Sequence, residues 1–169
     1  LVDLFRVASP LDTAGGTLDA RAILDRGAAR ASTTLGEQPE LLSRLQHTIG
    51  TVYASLGLFP QARTLLEEAL RSRERLYGSS DTLVAETLVQ LGGVAINREE
   101  FGEAERHLER ALRIVDAELE PPHPRIAEAV SELGVLRMRE RKLAAAESLF
   151  LRSISITDRL PQGAVARPG

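Results

Sequence analysis

Residues 88–111 read LVQLGGVAINREEFGEAERHLERA and contain the clearest structural pattern in the chain. Apolar residues recur in it every three or four positions, which is typical of amphipathic helices. A polar break at 97–100 separates two such helices, so the stretch predicts an antiparallel helical hairpin. The small residues Gly92 and Ala104 indicate that the two helices cross with their backbones in close approach.

The hairpin recurs along the chain with a period of 42 residues. Gly50, Gly92 and Gly134 keep this interval. Five other columns keep it too: Ile49, Leu91 and Leu133; Phe59, Phe101 and Leu143; Ala62, Ala104 and Ala146; Leu66, Leu108 and Phe150; Leu70, Leu112 and Ile154. Since Gly inside a helix costs about 1 kcal/mol relative to Ala, its recurrence at one phase indicates a required close contact.

Each copy is predicted to contain a first helix, A, and a second helix, B. The helices are expected at about 41–56 and 60–77, 83–97 and 101–118, and 125–139 and 143–159. Gly57 is suited to a left-handed C-cap, Pro60 and Pro124 to a first helical turn, and Asn97 lies near the second turn. The repeats then span 41–82, 83–124 and 125–160. A partial hairpin at 1–40 precedes them, with a helix remnant near 1–8 and a B-type helix capped by Thr17, and a disordered tail at 161–169 follows.

The repeat resembles the tetratricopeptide pattern. The matching residues are Ile49-Gly50-x-x-Tyr53 with Ala62-x-x-x-Leu66-x-x-Ala69, Leu88-x-x-Leu91-Gly92 with Ala104-x-x-x-Leu108-x-x-Ala111, and Leu133-Gly134 with Ala146-x-x-x-Phe150. Arg137 and Ser153 depart from the pattern in the third copy. The standard period is about 34 residues, and the longer one here is similar to the variant of kinesin light chains and many bacterial signalling proteins. The resemblance implies an all-α, right-handed solenoid of antiparallel hairpins.

A second resemblance covers about the first 60 residues. The motifs are Leu1-Val2-Asp3-Leu4-Phe5, Ser9-Pro10, Ala20-Arg21-Ala22-Ile23-Leu24-Asp25-Arg26-Gly27, Gln38-Pro39 and Leu56-Gly57-Leu58. They look like the segment after the kinase domain in bacterial serine/threonine kinases with C-terminal tetratricopeptide arrays. The resemblance implies a regulatory or sensory region of a larger signalling protein. It implies no kinase activity here, because the glycine-rich loop, His-Arg-Asp and Asp-Phe-Gly are absent from the sequence.

Composition narrows the functional classes. A net charge of −3 gives no electrostatic reason to expect nucleic acid or an anionic membrane as a partner. No apolar run approaches the roughly 20 residues of a spanning helix, and the chain has no cysteine. We therefore expect a cytoplasmic segment without membrane contact. Leu1 stands in place of an initiator methionine, so we expect a piece of a larger protein that could itself be membrane-anchored or place this region elsewhere.

The sequence contains no pattern typical of an active site or a metal site. The three histidines, His47, His107 and His123, have no partner at metal-ligand spacing. Acidic pairs such as Glu67-Glu68 are adjacent in the sequence and do not face each other on a helix, so we expect them to lie on the solvated surface. We expect neither enzymatic activity nor a cofactor or metal ion.

The tetratricopeptide resemblance implies that the A helices line a concave groove that binds a peptide or helix of a partner protein. The matching positions are Arg44, His47, Thr51, Glu86, Val89, Gly93, Ile96, Glu128, Ser131, Val135 and Met138. The strip has an apolar middle, and its acids favour a ligand with basic residues and apolar anchors. A carboxylate clamp is not expected, because His47, Thr51, Val89 and Gly93 occupy the places of its Lys and Asn. Two alternatives stay open: a sensor that binds a small molecule, and a concealed enzyme.

The last predicted helix carries an unusual apolar surface. Leu151 occupies the column of Glu67 and Glu109, and Leu149 and Ile156 lie on the same helix. A repeat array normally ends in a polar capping helix, so we expect self-association through 143–160, most simply as a two-fold homodimer. The alternative is one exposed leucine, which is common and harmless.

Overall fold

The computed structural model describes residues 20–161, and all regular structure in that range is helical. The seven helices are α1 Ala20–Thr34, α2 Pro39–Ser55, α3 Phe59–Tyr77, α4 Thr82–Asn97, α5 Phe101–Glu118, α6 Pro124–Arg139 and α7 Leu143–Asp158. The predicted boundaries of the six repeat helices agree to within about two residues. Pro60 and Pro124 lie in the first turns of α3 and α6, as predicted. The remnant near 1–8, the Thr17 cap and the tail lie outside the described residues.

The helices form a right-handed solenoid with two layers. Each A helix packs on the B helix that follows it, giving the hairpins α2–α3, α4–α5 and α6–α7. Backbones of α2 and α4, and of α4 and α6, also approach each other closely, whereas no two of α3, α5 and α7 do so. The A helices therefore form the inner, concave layer and the B helices the outer, convex layer.

The recurring glycines lie where a large side chain of the B helix packs against the A helix. A Cβ added at Gly92 would lie 2.6 Å from Leu108 Cγ, and one at Gly50 would lie 2.8 Å from Leu66 Cγ. At Gly134 the neighbour is Phe150 Cε1, at 2.7 Å. The predicted close contact between the helices is confirmed. The atoms nearest to each glycine belong to a side chain of the B helix, whereas the sequence had suggested that the two backbones approach each other directly.

The three A–B turns share one backbone form. After α2, Leu58 N–H donates to Tyr53 O and Gly57 N–H to Ala54 O, at 2.9 and 3.0 Å, with Gly57 at φ +73°. This is a Schellman cap, as predicted for Gly57. One and two periods later, Glu99 (φ +61°) and Arg141 (φ +63°) take the same left-handed place. Asn97 is the last helical residue of α4 and lies beside the second turn, as predicted.

The two departures in the third copy have local explanations. Arg137, in the column of Tyr53, pairs with Glu140 at 2.7 Å and also with Glu105. Ser153, in the alanine column, donates its hydroxyl proton to Ala127 O at 2.9 Å. Both polar side chains are therefore satisfied at positions that are apolar in the first two copies.

Candidate binding groove

A cavity of about 910 Å³ opens on the inner face where α2, α3, α4 and α6 meet. Three arginines line it: Arg44 from α2, Arg73 from α3 and Arg125 from the start of α6. His47, Glu86 and Glu40 are among the other lining residues. We call this space the arginine cavity.

Arg73 forms the buried floor of the arginine cavity, and its side chain is 3% exposed. Its Nη1 donates to Leu83 O at 2.8 Å, to Thr87 Oγ1 at 2.8 Å and to Glu86 Oε2 at 2.9 Å. The same nitrogen lies 3.4 Å from His47 Nδ1. Nε is buried and has no hydrogen-bond partner. Hydrogen bonds thus hold the Nη1 end of the guanidinium, whereas the buried Nε lacks a hydrogen-bond partner.

Glu86 is the carboxylate that contacts the basic side chains of the cavity. Besides its contact with Arg73, it lies 3.6 Å from Arg125 Nη2 and 3.9 Å from His47 Nε2. Arg125 is further held by a hydrogen bond from Nη1 to Thr82 O at 3.0 Å. One carboxylate therefore contacts two guanidinium groups and one imidazole.

The arginines of the cavity add to the effect of burial on His47. Burial is the largest cause that lowers the pKa of His47 to about 4; the charges of Arg73 and Arg125 also lower it, and Glu86 opposes them. His47 is therefore neutral at pH 7. Burial also lowers the pKa of Arg73, with Glu86 opposing the shift.

Further along the inner face, α6 presents an acidic strip. Glu128 is exposed as a residue, but its carboxyl is partly desolvated by the groups around it, which raises its pKa; the neighbouring Glu86 charge adds to the rise and Arg125 opposes it. Burial and the Glu128 charge raise the pKa of Glu132. Glu132 reaches over Gly93 of α4, where an added Cβ would lie 3.7 Å from its Oε2. The groove thus changes from basic to acidic along its length.

Most of the predicted groove residues lie on the inner face, and they differ in accessibility. Arg44 and Glu128 are exposed, Met138 is 46% exposed, and His47, Thr51, Glu86, Gly93, Ser131 and Val135 are half-buried. The Thr51 hydroxyl donates to His47 O at 3.0 Å. The structure brings Arg44, His47 and Glu86 together in the arginine cavity, while Ser131, Val135 and Met138 lie on the last A helix.

The predicted apolar middle of the groove is wrong. Val89 is 5% exposed and Ile96 is 2% exposed, and both belong to the core. The reason is the close approach of neighbouring A helices, which covers this side of α4 with α6. The groove floor available to a ligand is therefore mainly polar.

The predicted self-association surface also needs correction. Ile156 is 5% exposed and lies in the core, and half-buried Leu149 packs against the core. Leu151 is 60% exposed, as predicted. Its apolar companions on the outer face of α7 are Leu143 and Ile154, at 66% and 55% exposed.

Arg73 and Arg125 were missed from the sequence, although the repeat contains a signal for each. Arg73 shares its column with Val115 and Thr157, and Arg125 shares its column with Leu41 and Leu83. A charged residue in a column that is uncharged in the other copies marks a place where the contacts of one repeat differ. Comparing the columns by charge would have identified both arginines.

Within residues 20–161, no group of three or more His, Asp or Glu side chains is placed to hold a metal ion. In the same range no helix is long and apolar enough to cross a membrane.

Comparison with known proteins places the repeats in a family. The tetratricopeptide repeat model matches residues 41–105 and 83–159. Among solved structures, BtubC (BKLC) from P. vanneervenii is similar, with a TM-score of 0.70 and 21% identity over 88% of this chain and 61% of that one. A putative kinesin light chain from Podosopora anserina with nearly identical TPR-like repeats gives a TM-score of 0.64 and 21% identity over 82% of this chain and 65% of that one. Both are longer than this chain. No curated protein matches.

Proposed function

Because the chain belongs to the tetratricopeptide repeat family, whose repeats are generally protein–protein interaction scaffolds, we propose that it binds a peptide or helix of a partner protein on its inner face. The observation that supports this proposal is the arginine cavity, an open space of about 910 Å³ on the concave layer. Stacked repeats create extended concave surfaces of this kind. The bound segment contacts polar side chains, because Val89 and Ile96 are buried.

The biological setting forms part of the same proposal. We propose that the segment is a non-catalytic, regulatory or sensory part of a larger bacterial signalling protein, located in the cytoplasm. The support is the resemblance of about the first 60 residues to the flank of bacterial serine/threonine kinases with repeat arrays. The sequence of the full parent reading frame tests it, and a parent without a kinase or other signalling domain would contradict it.

A second candidate function is a sensor that binds a small molecule. The observation that favours it is the size of the arginine cavity, which falls within the roughly 300–1,000 Å³ range of ligand pockets. Thermal stabilisation by a metabolite pool depleted of peptides would support the sensor over the peptide-binding scaffold.

The peptide-binding proposal is tested by blocking the groove. A library of displayed peptides is selected on the wild-type protein, and the binders are measured again on Gly93→Phe. This change places a ring on the inner face of α4, where only Glu132 lies near. The matched control is Arg113→Phe, which adds the same ring on the convex layer, where the native side chain is 70% exposed. Loss of binding in Gly93→Phe alone supports the groove; equal binding by both variants contradicts it.

Self-association through α7 is a separate proposal. Leu143, Leu151 and Ile154 form an exposed apolar face that another copy of the chain covers. Sedimentation of the wild type against Leu151→Glu/Ile154→Glu tests it. We expect a concentration-dependent dimer that the double variant abolishes, and a wild type that stays monomeric at high concentration would contradict the proposal. Ile156→Glu is unsuitable, because that side chain is in the core.

A further inference from the structure

We propose that the arginine cavity is a phosphoryl site, which takes the phosphorylated side chain of a peptide lying in the groove. This inference rests on the proposed peptide-binding function and specifies its ligand. It replaces the expectation, drawn from Glu86 and Glu128 in the sequence, of a ligand chosen mainly for basic residues at this end of the groove.

The charged groups of the arginine cavity are positive on balance. Three guanidinium groups and the two carboxylates of Glu86 and Glu40 line it, and His47 is neutral at pH 7, so the lining carries an excess of one positive charge. Glu86 contacts two of the guanidinium groups, and no carboxylate among the described residues contacts the third, that of Arg44. The cavity therefore favours an anion, and a phosphate monoester, with about −1.5 to −2 at pH 7 and three acceptor oxygens, offers these guanidinium groups more charge and more acceptors than one carboxylate does.

Arg73 has unsatisfied hydrogen-bonding capacity. Its four polar contacts all use Nη1, and its buried Nε has no partner. Buried donors without partners are rare in folded proteins and call for an explanation. A phosphoryl group offers several acceptor oxygens, and arginine binds it through more than one nitrogen.

The fold does not require a charge at the position of Arg73. One period later Val115 occupies the column of Arg73, and it is equally buried, at 2% exposed against 3%. Ala129 likewise occupies the column of Thr87, and both are fully buried. Because buried ion pairs are often no more stabilising than apolar residues of similar volume, the repeat architecture alone does not account for Arg73. A ligand does.

The side chain of Arg44 is available to a ligand. Arg44 is exposed, lines the cavity and takes part in no ion pair among the described residues. It can therefore turn toward a phosphoryl group without breaking an ion pair. Arg73 supplies a buried guanidinium held by the fold, Arg125 a second that Glu86 and Thr82 O hold, and Arg44 an exposed third.

Three capped tripeptides test the inference: Ac-Ala-pSer-Ala-NH2, Ac-Ala-Asp-Ala-NH2 and Ac-Ala-Ser-Ala-NH2. Binding is followed by NMR through the ring proton of His47, which is assigned by its loss in His47→Gln. His107 and His123 serve as internal references. A dianion beside His47 cancels positive potential, so we expect the phosphoserine peptide to raise the pKa of His47. We also expect it to bind about tenfold more tightly than the aspartate peptide.

Variants then assign the effect to residues. Arg44→Gln and Arg125→Gln are each expected to weaken phosphopeptide binding by about tenfold, while Arg113→Gln on the convex layer leaves it unchanged. Arg44 is exposed, so its variant is expected to fold normally, and an unchanged helical signal verifies this. Equal binding of the aspartate and phosphoserine peptides, or no response of His47 to either, would overturn the phosphoryl site. The proposed peptide-binding function would survive that outcome if library-selected peptides still lost binding in Gly93→Phe and kept it in Arg44→Gln.

Discussion

The packing of α3 on α4 and that of α5 on α6 are two versions of one interface, a period apart. In the first, buried Arg73 contacts Thr87 at 2.8 Å and Glu86 at 2.9 Å. In the second, Val115 and Ala129 occupy the same two columns and belong to one apolar cluster. The first interface borders the arginine cavity, whereas the second forms part of an apolar core.

The difference between the two interfaces shows that the repeat specifies the backbone geometry of an interface but not the polarity of the side chains buried in it. Two neighbouring columns have changed together, because a buried guanidinium without acceptors would cost several kcal/mol. Thr87 and the Leu83 carbonyl supply those acceptors in the first interface. A polar site can therefore be built into one interface of a solenoid while the next keeps an ordinary core.

The largest effect on stability is expected at a position whose small side chain is needed for the packing of a hairpin. Ala104 is fully buried, and Ala104→Glu forces a carboxylate into the contact between α4 and α5. We expect a loss of at least about 4 kcal/mol in the free energy of unfolding. Urea denaturation measures it. Ala145→Glu, at an exposed position of α7, is the control and is expected to change stability by less than about 0.5 kcal/mol. A near-native midpoint for Ala104→Glu would mean that the packing around α5 is misplaced.

Transplanting the polar interface tests the comparison directly. Val115→Arg places a guanidinium beside Val89 and Ala129, and we expect a loss of about 3 kcal/mol. Glu128 occupies the column of Glu86 and offers one partner. Adding Ala129→Thr restores the hydroxyl acceptor and is expected to recover about 1 kcal/mol. Denaturant melts of the single and double variants, with Ala129→Thr alone as reference, give the coupling. Absence of any recovery would show that the two columns are independent.

Removing Arg73 from the polar interface is expected to have a smaller effect on the free energy of unfolding. Arg73→Ala leaves a void and removes one partner of Glu86, although Arg125 stays in contact; we expect a loss of about 2 kcal/mol. Arg73→Met keeps most of the volume, and we expect it to lie within about 1 kcal/mol of the wild type. Should Arg73→Met prove as unstable as Arg73→Ala, the charge is needed for folding, and the case that a ligand explains it weakens.

The smallest effect concerns the turns, which are alike in shape but not in residue type. Glu99 holds φ +61° where the first turn has Gly57 at φ +73°. Glu99→Gly relieves this strain, and we expect a gain of up to about 1 kcal/mol, whereas Gly57→Ala is expected to lose about 1 kcal/mol. Differential scanning calorimetry measures both, with expected melting shifts of about 2–4 °C in opposite directions. Shifts of the same sign would show that the turns are energetically different despite their common geometry.

Much of the fold could be predicted because it depends on local sequence patterns, and these patterns occur in all three repeats. Helix periodicity, the prolines that begin α3 and α6, and the left-handed Gly57 follow from the residues themselves. The strained turn at Glu99 could not be predicted in this way, because glutamate has no preference for positive φ. Its conformation is imposed by the two helices that it joins.

The residue pattern was enough to predict the period and the helices of the three repeats. The tetratricopeptide resemblance that the pattern carries implied the stacking and the inner-face positions of Arg44, His47 and Glu86. The packing of the helices, which the pattern did not give, buries Val89 and Ile96 under α6 and brings Arg73 from an outer helix to the arginine cavity. Phase is a property of one helix, whereas burial and charge pairing depend on which helix lies beside it, at contacts many residues apart in the chain.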